Sequence, residues 1–100
     1  MSNMYLDVKE FQEAVGQYVG QTPAFPGINE RQLRMKLMRE EFQEYMESER
    51  ENDFVNLAKE LADIIYIACG TAVSYGIPLD KVFDEVHRSN MEKLVDGKPI

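Results

Sequence analysis

The chain has 100 residues, 18 acidic against 11 basic, for a formal charge of −7. That length makes one domain spanning residues 1–100, with a core small enough that pairing with a second copy is expected. No basic stripe appears, which disfavours a nucleic-acid partner, and a phosphate-bearing small molecule would be repelled unless divalent cations lay between.

One cysteine, Cys69, and one histidine, His87, exclude an intrachain disulfide and any zinc site needing several such ligands from one chain. A reducing cytoplasm is the expected setting. The opening MSNMYLDVKEF has no basic segment followed by an apolar one and carries no visible export signal.

The spacing of Val8, Phe11, Val15 and Tyr18 predicts a first, outer helix over about residues 8–18. GQTPAFPGIN, residues 20–29, has two prolines and two glycines and reads as a loop. Asn29 followed by Gln32 resembles a capping box, so a second helix is expected from about Glu30 to Glu49. Asn52 or Asp53 can cap a third helix reaching Tyr75, where Gly76-Ile77-Pro78 ends it. Its stretch from Ile64 to Tyr75 is too short to span a bilayer and reads as a buried helix, so no membrane partner is expected. A fourth helix is predicted from Leu79 to Leu94, with Asp96-Gly97 as a turn behind it and no strand pattern anywhere. The fold class is all-α: a four-helix, bundle-forming protomer, expected to pair with a second copy.

The acids fall in telling places. On the second helix Met35, Met38, Phe42, Tyr45 and Met46 form a broad apolar face. Leu33 and Leu37 begin another stripe on the opposite side, and Glu40 or Glu41 and then Glu44 continue it. The third helix is apolar nearly all round, yet Glu60 and Asp63 sit three residues apart and are neighbours on its surface. Carboxylates so held repel one another unless a cation intervenes. On the fourth helix Val82, Phe83 and Val86 define an inner face that Asn90 and Lys93 share, suitable donors for phosphate oxygens. Hard oxygen ligands facing such donors suit Mg²⁺ or Mn²⁺.

EEFQE (residues 40–44) followed by ELAD (residues 60–63) resembles the EExxE…ExxD signature of the all-α nucleotide pyrophosphohydrolases, the superfamily of MazG, the dimeric dUTPases and phosphoribosyl-ATP pyrophosphohydrolase. VKEFQEAVGQ, LRMKLMREEFQE, KELADIIYIACGTAVSYGIPLDKVFDEVH and RSNMEKLVDGKPI are similar to its stand-alone, phosphoribosyl-ATP-pyrophosphohydrolase-like branch in bacteria and phages. The resemblance implies Mg²⁺-dependent cleavage of nucleoside triphosphates between the α and β phosphates, in a homodimer or homotetramer. It implies Glu41, Glu44, Glu60 and Asp63 as metal ligands, with Glu40 or Glu41 acting on the attacking water. Asn90 and Lys93 would meet substrate phosphates, across a subunit boundary if the assembly requires it. Relatives in this branch often carry a tail past the DGKPI turn, whereas this sequence stops at Ile100. Hydrolysis of phosphoribosyl-ATP in histidine biosynthesis, and a non-catalytic helical module with a structural cation site, are the alternatives.

Overall fold

In the computed structural model, which describes residues 3–95 and 97–99, four helices follow in chain order: α1 (Met4–Ala14), α2 (Ile28–Arg50), α3 (Phe54–Tyr75) and α4 (Leu79–Glu92). The all-α architecture is therefore present. A minimal antiparallel hairpin ends it, β1 (Leu94–Val95) pairing with β2 (Lys98–Pro99) in the register Leu94↔Pro99 and Val95↔Lys98. Strands of two residues have no period to detect, so no pattern predicts them. Gly97, at φ 76°, takes the left-handed conformation this turn needs; Asp96, expected beside it, lies outside the described residues.

Helix boundaries follow the caps. Asp53 accepts a hydrogen bond from the amide of Asn56 and starts α3 as expected, and Gly76 closes it in the left-handed conformation at φ 68°. α1 begins four residues before the expected position because Asn3 caps it, accepting from the amide of Leu6. Gly27 stands as the N-cap of α2 without any side-chain hydrogen bond, so the Asn29 capping box does not form.

α1 and α2 both pack against α3. The fully covered apolar residues, Val8, Cys69, Ala72 and Val73, lie where α1 meets the C-terminal half of α3. Polar groups complete that region. Buried Arg34 donates from Nε to Thr71 Oγ1 (3.1 Å) and from Nη2 to the Ile67 carbonyl (3.0 Å). Buried Gln12 donates to the Tyr18 carbonyl. Gly70 makes room for both, since a Cβ there would stand 2.4 Å from Arg34 Nη2 and 2.5 Å from Gln12 Oε1. The loop after α1 is bonded onto the end of α3, with the amides of Gly20 and Ala24 donating to the carbonyls of Val73 and Tyr75.

Two expectations are corrected. The apolar residues of α3 are buried only over its C-terminal half: Phe54, Val55, Leu61, Ile65 and Tyr66 are exposed in the protomer, as are Met35, Phe42 and Met46 of α2. α4 turns 116° away from α3, and its intended inner face of Val82, Phe83 and Val86 meets solvent instead of core. Asn3, donating to Asp80 at 2.9 Å, ties α4 to the start of α1.

Candidate metal centre

α2 and α3 form a helical hairpin joined by residues 51–53. At its closed end buried Ser48 donates to the Glu44 carbonyl and accepts from the side chain of Asn56, locking the two helices in register. The α2 residues turned toward α3 are Arg34, Met38, Glu41, Tyr45 and Ser48, all buried or half-buried. This spacing of three or four keeps one face on the partner helix and sends Glu41 into the interface.

There Glu41 meets Glu60 and Asp63, each offering a carboxylate oxygen within 4.8 Å of the others. Glu60 is 3% exposed, and Oε2 of both Glu41 and Glu60 is enclosed without a hydrogen-bond partner. Enclosed, unpaired carboxylate oxygens are costly. Burial pushes the Glu41 carboxyl up to about 7, followed by a hydrogen bond shared with Glu60 and by the like charges of Glu44, Asp63 and Glu60. Glu44, exposed at the rim, is raised chiefly by its own hydrogen bond to Glu60. Three converging carboxylates with a fourth at the edge, all hard oxygen donors, fit a divalent cation of the Mg²⁺ or Mn²⁺ kind.

The other candidates lie elsewhere in the protomer. Glu40 faces outward, about half exposed, with Lys36 4.0 Å away. Asn90 and Lys93 are exposed and bonded to each other at 3.2 Å. Asp63 and Lys93 are each roughly 20 Å of helix from the elbow between α3 and α4, so the acids and the donors do not meet within one subunit.

Two residues were missed from sequence. Lys59 reaches back over the cluster, its Nζ 2.8 Å from Asp63 Oδ2 and 3.4 Å from Glu60 Oε1, and Asp63 foremost holds its ammonium above the ordinary lysine range. A Lys four residues before an Asp is a recognisable helix pair and was the available signal. Arg34 had none, because an isolated arginine in a helix is expected outside.

A family model described as phosphoribosyl-ATP pyrophosphohydrolase matches residues 8–90. The span takes in all five acids and Asn90 and stops short of Lys93. No curated protein matches the chain.

Proposed function

The chain belongs to the phosphoribosyl-ATP pyrophosphohydrolase family and is a hydrolase of phosphoric anhydrides; from that premise we propose that it is a Mg²⁺-dependent nucleoside triphosphate pyrophosphohydrolase, clearing unwanted (deoxy)nucleotides as monophosphate and pyrophosphate. The observation that carries this is the convergence of Glu41, Glu60 and Asp63 around enclosed, unpartnered oxygens.

Glu41, Glu44, Glu60 and Asp63 are the residues that would hold the cation. When bound, a divalent ion neutralises phosphate charge and lowers the pKa of a water. Glu41 is the carboxylate proposed to take the proton lost as water attacks the α-phosphorus. The bond broken joins that phosphorus to the bridging oxygen, and the pair of electrons leaves with pyrophosphate. Glu40 would act on the same water only after releasing Lys36.

Asn90 and Lys93 are proposed to meet the phosphates from a second subunit, since their own acids are out of reach. The exposed apolar residues of α2, α3 and α4 favour a homodimer or homotetramer. The free, buried Cys69 fits a reducing cytoplasm. Among the described residues no single helix is long and apolar enough to cross a membrane.

Hydrolysis of phosphoribosyl-ATP breaks the same type of bond with the same kind of cation and is the nearest rival reading. The family's own description favours phosphoribosyl-ATP as the second reading. Purified protein with Mg²⁺ is incubated with canonical, deoxy and modified triphosphates and with phosphoribosyl-ATP, and the products are separated by anion exchange. Monophosphate plus pyrophosphate is expected. Diphosphate plus orthophosphate would refute α-β cleavage, and turnover of phosphoribosyl-ATP alone would assign the second reading. Sedimentation of the same preparation at micromolar concentration should return a dimer or larger; a monomer would remove the cross-subunit role of Lys93.

A further inference from the structure

The acid cluster already carries a cation of its own. Lys59 Nζ lies against Asp63 Oδ2 at 2.8 Å and Glu60 Oε1 at 3.4 Å, the carboxylates assigned above to a divalent ion. The partners differ in freedom. The Glu60 side chain is 4% exposed and held between two helices, whereas that of Lys59 is 65% exposed on a flexible four-carbon stem. An ammonium also fills the position incompletely. It brings a single charge and three N–H donors, and Oε2 of Glu60 and of Glu41 still lack a partner beside it.

Resting on the metal reading above, we infer that Lys59 is a built-in placeholder cation that competes with the divalent ion for Glu60 and Asp63 and, once displaced, passes its ammonium to the phosphates of the incoming nucleotide. The order follows from charge. Alone, the cluster gathers three or four carboxylates around one ammonium; with a divalent ion in place, that ammonium is repelled from its seat. Its tether leaves it at the solvent-facing rim, where a triphosphate must arrive. Lys59 thus lowers affinity for bare metal and raises affinity for metal with nucleotide.

The test is a calorimetric titration of Mn²⁺ into the nucleotide-free full chain, as wild type, Lys59→Met and Lys59→Arg. Lys59→Met should bind Mn²⁺ roughly three- to tenfold more tightly, the effect of removing one unit charge a few ångströms from a divalent ion in a partly solvated site. Lys59→Arg, which keeps the charge, should stay within about twofold of wild type. At saturating Mg²⁺, KM for the triphosphate should rise several-fold in Lys59→Met. Equal or weaker Mn²⁺ binding by Lys59→Met, or tightening by Lys59→Arg as well, would overturn the competition. An unchanged KM would overturn the transfer to phosphate. A wild type that binds no Mn²⁺ at millimolar concentration would refute the metal centre itself, and this inference with it.

Discussion

From Ile67 to Tyr75, α3 is closed in by α1, α2 and the loop after α1, with Gly70, Ala72, Val73 and Ser74 almost wholly covered. From Phe54 to Tyr66 the same helix leaves five large apolar residues exposed and buries a carboxylate instead. Small side chains explain the first half, because they let Arg34, Gln12 and the loop backbone approach closely. The open second half keeps space beside Glu60 and Asp63 that a packed core would fill. One helix thereby separates the part that stabilises the fold from the part that carries the proposed metal centre.

The sharpest separation comes from Asp63→Asn. Turnover should fall on the order of 10³-fold, about 4 kcal/mol of transition-state stabilisation. In chelator the fold should move by less than about 1 kcal/mol, since the Lys59–Asp63 pair is open to solvent, with Lys59 exposed and Asp63 half-buried. Retained hydrolysis, or a melt far below wild type in chelator, would break the division. Gly70→Val probes the other half. Its side chain must displace the buried guanidinium of Arg34 and the amide of Gln12, costing on the order of 3 kcal/mol in urea unfolding. Any folded fraction should still bind Mn²⁺ like wild type. An unchanged urea midpoint would mean that this half is not closed.

The smallest effect is electrostatic. Because the Glu41 carboxyl is raised from 4.5 to about 7, the native state binds more protons than the unfolded chain between those values. This contribution to stability is complete below about pH 4.5 and is lost as pH rises through about 7, the reverse of a salt-bridged carboxylate. Allowing for partial exposure, it amounts to on the order of 1–2 kcal/mol. Metal-free protein should therefore melt higher at pH 5 than at pH 8, with Mg²⁺ restoring the loss at pH 8. A metal-free melting temperature that climbs from pH 5 to pH 8 would show that the cluster is not strained.

The sequence made α3 and its acids legible because Asp53 and Gly76 punctuate it locally and the apolar run between them is long. It also made Glu41 and Glu60 legible, as charges interrupting apolar stripes. It misplaced the start of α1, where the cap at Asn3 precedes the first apolar repeat, and the start of α2, where Gly27 begins the helix by backbone conformation alone. The orientation of α4 was illegible for a different reason. An amphipathic helix declares that its apolar face needs covering, and nothing in its period says whether the same chain covers it. Arg34 escaped because its burial depends on Thr71, Ile67 and the gap at Gly70, features of a distant segment.

The loop after α1 has the composition of a flexible linker and the bonding of something else. The amides of Gly20 and Ala24 reach carbonyls at Val73 and Tyr75, and a Cβ on Gly76 would stand 2.4 Å from the Thr22 carbonyl oxygen. Those acceptors belong to the last turn of α3, more than fifty residues later in the chain. During folding the loop therefore has no partner until α3 has formed to its end, and its ordering pays the closure entropy of a long segment. The α2–α3 hairpin, joined by a three-residue turn, can assemble first and alone. The acids of the candidate site would then be gathered before α1 docks, ahead of the half of the molecule that stabilises the fold.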